Sequence, residues 1–369
     1  MAPGQPPGSR FAGRLSVTPG SALPDTATAS LRKWLGDAWN AAQLTGDASV
    51  RVYYRVTTGD GQSYVMAWYP DEVRSELQRY LAAYDAVSKY AYVPKVLEFN
   101  ECAALQQDIG NQTLFDLLHQ SREEGVKWYR KAVTLLVYFQ RGGAVDINPP
   151  FTADFFANEL EMSREFYVHQ LMGVEGEKSL ELNPLFRRLA LNISRHPYVL
   201  CHRDYHGQNI HIVNDKLYVI DFQDLRMGPD TYDVASLLRD RGVARLLGED
   251  TELELVDYYA EWRSVGMPGR SELPHGERRS IRRRYFETLL QRSLKILGTF
   301  SKQPITRGRM WYLEFIPPTL ESVRRCLHEL PEYGPIGELL PMDFSADAAR
   351  QRAERIYSNG NAQDHAPPR

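Results

Sequence analysis

The stretch LCHRDYHGQNIHIVNDKLYVIDFQD, Leu200 to Asp224, constrains the fold of this chain more than any other. Two short runs, NIHIV and KLYVIDF, alternate apolar and polar residues on either side of Asn214-Asp215, a strong hairpin-turn signal. If the turn closes there, residues equally distant from it face each other, so Asn209 lies opposite Ile220 or Asp221. Asn209 and Asp221 then share the open end of the hairpin. Asp204 stands five residues before Asn209, in the loop that enters it. A carboxylate and an amide oxygen are hard ligands suited to Mg2+, which takes one or two protein oxygens and fills its other positions with water and phosphate. An aspartate beside such a metal can accept the proton of an attacking hydroxyl, the arrangement phosphoryl transfer needs.

The segments around this stretch give its setting. Leu31, Trp34, Leu35 and Trp39 have helical spacing and predict a helix over 31–45, ending at Gly46. ASVRVYYRVT and QSYVMAWY read as strands joined across TGDGQ. RSELQRYLAAYDAV reads as a helix, PKVLEFNECAALQQDI as two more strands, and TLFDLLHQ as the start of helical material. The expected class is α+β, with a small β-rich lobe before a larger, mainly helical one. The expected boundaries are a flexible tail over 1–28, a phosphate-binding lobe over 29–108, a catalytic and substrate-binding lobe over 109–340, and a second tail over 341–369.

A chain of 369 residues suits two lobes, and its net charge of −3 gives no sign of a nucleic-acid partner. Apolar runs such as TLLVYF, Thr134 to Phe139, are too short to span a bilayer. The first thirty residues are rich in Pro, Gly and Ser and lack the apolar core of a signal peptide. Cys102, Cys201 and Cys326 are few and scattered, which fits a reducing compartment and excludes a cysteine-based zinc site. The expectation is a cytoplasmic protein. Its oligomeric state is left open.

His202-Arg203-Asp204, Asn209 and Asp221-Phe222 match the protein-kinase signature H-R-D-x-x-x-x-N followed by Asp-Phe. Taken singly, an Asp or Asn in a loop is usually a cap or a turn residue; the set at this spacing on this hairpin is what carries the match. HRDYHGQN, VIDFQD and GPDTYDVASLLRD together resemble the aminoglycoside phosphotransferase and choline kinase superfamily, with His206 and Gln223-Asp224 favouring this small-molecule branch. GDASVRVYYRV, LQQDIGNQTLFDLL and LQRSLKILGTF resemble one subgroup, the bacterial N-acetylmuramate/N-acetylglucosamine kinases of cell-wall recycling. The likeness runs from Gly46 to about Phe300.

The resemblance implies a protein-kinase-like fold, ATP and Mg2+ as cofactors, and an amino sugar phosphorylated on its anomeric hydroxyl. In it Asp204 is the base, Asn209 and Asp221 hold the metal, and main-chain groups at Gln107 and Ile109 meet adenine. Glu159 and Asp224 are the candidates for holding the sugar. One departure is plain: there is no G-x-G-x-x-G loop, and the strand QSYVMAWY has no lysine. Ser49, Arg51, Tyr53 and Arg55 share one strand face, which makes Ser49 and Arg51, with Arg55 behind them, candidates for the phosphates. Solvated surface arginines give the same pattern.

His202 and His206 lack a third ligand and an intervening Glu, so they read as hydrogen-bonding groups of the loop rather than as zinc ligands. Asp233 reads as a first-turn helix stabiliser, and the basic run Arg278 to Arg284 as a solvated helix face. Two rivals remain. One is the same chemistry on an aminoglycoside, choline or other small alcohol. The other is a nucleotide-binding pseudoenzyme, favoured by the absent lysine and opposed by the complete Asp204, Asn209 and Asp221 set.

Overall fold

The computed structural model describes residues 17–18, 23–44, 50–143, 145–240, 242–264 and 275–364. In chain order the strands are β1 (Val17–Thr18), β2 (Trp39–Leu44), β3 (Val52–Thr58), β4 (Ser63–Trp68), β5 (Val96–Phe99) and β6 (Ala103–Gln107), then β7 (Tyr198–Cys201), β8 (Ile210–Val213), β9 (Lys216–Val219) and β10 (Arg226–Pro229). The helices of the first half are α1 (Asp25–Leu35), α2 (Ser75–Val87), α3 (Leu114–Gln120) and α4 (Arg122–Gln140). Those of the second are α5 (Ala153–Met162), α6 (Gly176–Leu180), α7 (Leu182–Ile193), α8 (Tyr232–Arg239), α9 (Val243–Leu247), α10 (Glu249–Ser264), α11 (His275–Arg307), α12 (Ile316–Glu329), α13 (Gly334–Leu339) and α14 (Ala346–Asp364). A π-helical stretch, Ser163–Leu171, continues directly from α5.

The chain divides into two compact units. The first contains Met1–Pro149, Leu200–Arg226 and Ser236–Trp262, and the second Pro150–Val199, Met227–Ala235 and Arg263–Arg369. The first unit is built on one antiparallel sheet in the order β1-β2-β3-β4-β6-β5. Alternation along its strands sends Tyr54, Val56, Met66, Ala103 and Leu105 to one buried face, where Ala27 and Leu31 of α1 pack on them. The strand-rich beginning and the helical remainder thus follow the expected α+β order.

The helix expected over 31–45 differs from the one found. It starts earlier, at Asp25, and stops at Gly36, and Trp39–Leu44 pairs in register with β3. Gly36 sits at φ +74°, ψ −150°, while its N–H still bonds to the Arg32 carbonyl 3.0 Å away. That backbone conformation is nearly closed to side chains, so it ends the helix and turns the chain into a strand. Trp34 and Trp39 keep their apolar contacts with the same core, which is why their spacing mimics a longer helix.

The second unit is helical, with α11 packed along α12, α5 and the π-helical stretch. The segment expected to be a C-terminal tail carries α14, which buries Ala349 and Ala353 and sends the Arg352 guanidinium to the Gln170 carbonyl at 2.6 Å. Ile356 and Tyr357, half-buried, continue the stripe of Ala349 and Ala353, a face too small and too broken by charged residues to stand out in the sequence.

Because no atom lies within 4 Å of a Cβ built on Gly36, the cost of a side chain there is torsional alone. Gly36→Ala is expected to lower stability by about 1–3 kcal/mol. Equilibrium urea denaturation would check it.

Candidate active site

The hairpin forms with Ile210 opposite Val219 and Val213 opposite Lys216. Asn214 and Asp215 close it at φ +47° and +58°, the left-handed pair of a type I′ turn. The ladder continues beyond the strands, where the Ile220 N–H donates to the Asn209 carbonyl at 3.0 Å. Asn209 therefore faces Ile220, and Asp221 is the first residue past the ladder. There the backbone breaks away at φ +62°, and Arg203, just before Asp204, sits at φ +82°. Non-glycine residues rarely hold such angles, and both flank the polar cluster. His202 is buried, and its Nε2–H donates to the Ile220 carbonyl at 2.9 Å, tying the loop to the hairpin end. Burial pulls its pKa down, so it acts here as a neutral donor.

The side chain of Asn209 has a defined orientation. Its Nδ2 donates to the Asp204 carbonyl at 3.0 Å and lies 3.4 Å from the His206 Nε2. A carbonyl only accepts, so the atom facing Asp204 must be the nitrogen, and Oδ1 is left on the other side of the amide. The Asp221 carboxylate is 41% exposed, and its Oδ1 accepts from the Gln223 Nε2 at 2.9 Å. One amide oxygen and one partly open carboxylate at one hairpin end are a donor set that fits Mg2+, which needs no closed protein cage. Among the described residues no group of three or more His, Cys, Asp and Glu forms such a cage.

Ser49 lies outside the described residues. Arg51, just before β3, is 10% exposed and lies 3.6 Å from both Glu76 Oε2 on α2 and Asp221 Oδ1. Burial opposes its charge, but Tyr53, Tyr69 and Asp221 outweigh that and raise its pKa. The facing positions on β4, where a strand lysine would stand, are apolar: Ala67 pairs with Tyr53 and Val65 with Arg55. The structure thus gathers a cation and a helix carboxylate, Arg51 and Glu76, close to Asp221. Glu76 went unnoticed in the sequence, where only its place in the first turn of a helix after two strands hints at it.

Arg55 does not join Arg51. Its Nε and Nη2 meet both oxygens of Asp108 at 2.7 and 3.1 Å, and Nη2 also reaches Asn111 at 2.8 Å. This fork braces the turn that carries Ile109, which is buried, and Gly110 at φ +72°. The N–H of Gln107 is committed to the Lys95 carbonyl at 2.9 Å, so an adenine edge at Gln107 would have to use its carbonyl.

Asp224 lies 3.6 Å from Arg203 Nη1 and is 36% exposed. All these residues belong to the first unit. Glu159 belongs to the second, where Oε1 meets Lys295 Nζ at 2.9 Å and Oε2 accepts from Gln291 at 2.9 Å. Both of its oxygens are thus engaged within that unit. Glu161 and Glu165 share Arg164. Arg284 holds the buried Asp230, and the half-exposed Arg283 reaches Glu287 and Glu332, so this part of the basic run does structural work beyond facing solvent. Asp233 is fully buried.

Residues 40–273 match the family model described as the phosphotransferase enzyme family, APH. The chain belongs to this family. It is therefore a phosphotransferase enzyme, and its fold is protein-kinase-like. It is 29% identical over 330 residues to the N-acetylmuramate/N-acetylglucosamine kinase of Neisseria meningitidis serogroup B, covering 84% of this chain and 94% of that one. It is also 29% identical over 323 residues to the Pseudomonas putida protein of that name, covering 82% and 90%. Among solved structures, the gentamicin-APH(2")-IIa complex aligns at TM-score 0.55 and 15% identity, over 89% of this chain and 99% of that one. A choline/ethanolamine kinase family protein from Mesorhizobium loti aligns at 0.55 and 14%, with the same coverage. These two likenesses show the fold. No helix among the described residues is long and apolar enough to cross a membrane.

The loop bearing Asp204 runs close beneath α3 and α4 at Gly207. A Cβ there would fall 2.7 Å from the Tyr129 hydroxyl and 3.0 Å from the Phe115 backbone nitrogen. Gly207→Ala is expected to cost about 1–3 kcal/mol through overpacking. A lowered thermal midpoint would show it, and an unchanged midpoint would mean that the loop sits farther from these helices.

Proposed function

We propose that this enzyme is an ATP-dependent amino-sugar kinase that phosphorylates the anomeric hydroxyl of N-acetylmuramate or N-acetylglucosamine. The observation that carries the reading is the junction of Asp204, Asn209 and Asp221 at one hairpin end, with Arg51 beside Asp221. The names of the relatives support the choice of acceptor. Asn209 Oδ1 and the Asp221 carboxylate would hold Mg2+, which when bound neutralises phosphate charge that the protein would otherwise have to meet alone. Asp204 orients the sugar hydroxyl and takes its proton as the oxygen bonds to the γ-phosphorus. The bond from that phosphorus to the bridging oxygen breaks, and ADP leaves with the electron pair.

Arg51, with Glu76 fixing its direction, supplies the cation that other kinases place on a strand lysine. The main chain around Gln107 and Ile109 is proposed to meet adenine, and Asp224 to contact the sugar. The anomeric hydroxyl is more acidic than an ordinary sugar alcohol, so one aspartate suffices as base. The product is a sugar 1-phosphate, consistent with a place in peptidoglycan recycling in the cytoplasm.

Asp204→Asn is expected to leave nucleotide affinity close to that of the parent while turnover falls by about two to four powers of ten. A coupled ADP-release assay beside a nucleotide titration separates the two effects, and unchanged turnover removes Asp204 from the chemistry.

Arg51→Ala is expected to raise the KM for ATP and depress kcat together, because a phosphate clamp acts in both the ground and transition states. Steady-state kinetics with unaltered constants would return Arg51 to a purely structural role.

The methyl glycoside of N-acetylglucosamine has its anomeric oxygen blocked and its other hydroxyls free. It is expected to consume no ATP, whereas the free sugar gives an acid-labile phosphate. Turnover of the glycoside at the rate of the free sugar would move the chemistry to another hydroxyl and favour an aminoglycoside- or choline-type acceptor.

A further inference from the structure

We infer that His206 and Asp240 act as positioning residues that hold the Asn209 amide in the one orientation that presents its oxygen to the metal. The inference rests on the proposed role of Asn209 as a magnesium ligand and adds two residues to it.

The geometry begins at the Asn209 amide. One of its two N–H groups is directed to the Asp204 carbonyl at 3.0 Å, and the other faces the His206 Nε2 at 3.4 Å. The two nitrogens can share that approach only if Nε2 accepts, which leaves Nδ1 as the ring atom that carries the N–H. Nδ1 points to the Asp240 Oδ2, 3.9 Å away. Both atoms are shut off from solvent, and neither makes a hydrogen bond to any other described residue. A carboxylate at that distance, screened little by water, favours the tautomer with its proton on the near nitrogen.

The ring itself has little freedom. The His206 N–H donates to the Asp204 carbonyl at 3.0 Å, and its own carbonyl accepts from the Asn209 N–H at 2.9 Å. Its backbone is thus clamped between the proposed base and the proposed ligand. The hydroxyl of Tyr129, buried beside Gly207, also lies within the field of Asp240. The order of influence runs from Asp240 to the His206 tautomer, to the Asn209 amide, to the metal. Groups behind a ligand commonly set its direction in this way, and losing them typically costs about ten- to a hundredfold in metal affinity.

Mn2+ reports this directly, because its free-ion signal in electron paramagnetic resonance disappears on binding. The titration uses the full-length enzyme with a non-hydrolysable ATP analogue. His206→Leu is expected to raise the Mn2+ Kd by about tenfold or more. His206→Gln, whose amide oxygen can accept from Asn209, should recover most of that loss. Asp240→Ala should weaken Mn2+ binding by a smaller factor, and adding it to His206→Leu should cost nothing further, since both act through one path. Asn209→Ala serves as the reference. If it loses Mn2+ affinity while His206→Leu and Asp240→Ala do not, the positioning role is overturned and Asn209 stands as a ligand. If Asn209→Ala binds Mn2+ like the parent, the ligand assignment falls, and the inference with it. Should His206→Leu fail to fold, His206→Gln and Asp240→Ala still decide: parental affinity in Asp240→Ala rejects the relay.

Discussion

The hydrogen bond from the Ile220 N–H to the Asn209 carbonyl sets the register on which the whole site depends. It extends the β8–β9 ladder by one pair and leaves Asp221 as the first residue beyond it. A slip of one residue would turn Asp221 to the opposite face of the ribbon and separate it from Asn209. His202 secures the same point from the other side by donating to the Ile220 carbonyl, so one residue of the hairpin receives the loop bearing Asp204 and the ladder together. The unusual backbone at Asp221 is the local cost of leaving the ladder sharply.

Charge is arranged around that point with economy. Arg51 reaches Glu76 and Asp221 at equal distances, so the cation sits between a carboxylate that can keep it in place and one proposed to serve the metal. A lysine on the neighbouring strand would approach from β4, but there the facing side chains are Val65 and Ala67. Moving the cation one strand across is compatible with the fold because a guanidinium is longer and forked, and can span two partners at once. Arg55, two pleat repeats further along, is drawn off by Asp108 and Asn111 and serves the connecting turn instead.

The sequence carried the hairpin, its turn and the gathering of polar residues at its open end almost completely. Apolar alternation around Asn214-Asp215 and the spacing of Asp204, Asn209 and Asp221 are local properties, and local properties are what periodicity and turn preference can read. The pairs β3–β4 and β5–β6 were legible for the same reason. The break at Gly36 was not, because Trp34 and Trp39 pack on one core from a helix and a strand and imitate a single helical stripe. α14 escaped notice because only two small alanines on it are buried, while Ile356 and Tyr357 are half-buried among charged and polar neighbours.

Only the tertiary structure decided which partners the charged side chains take. The sequence placed Arg51 and Arg55 on one face of a strand and could not divide them; contact with Glu76 and Asp221 in one case and with Asp108 in the other did so. It offered Glu159 as an open acceptor, whereas Lys295 and Gln291, more than a hundred residues away in the chain, engage both of its oxygens. It presented His206 as one more polar residue of a loop, and the fold set it between Asn209 and Asp240. Residue types and short spacings settle what chemistry a segment can perform. The pairing of a long, flexible charged side chain depends on elements brought together from across the chain, and no local pattern records it.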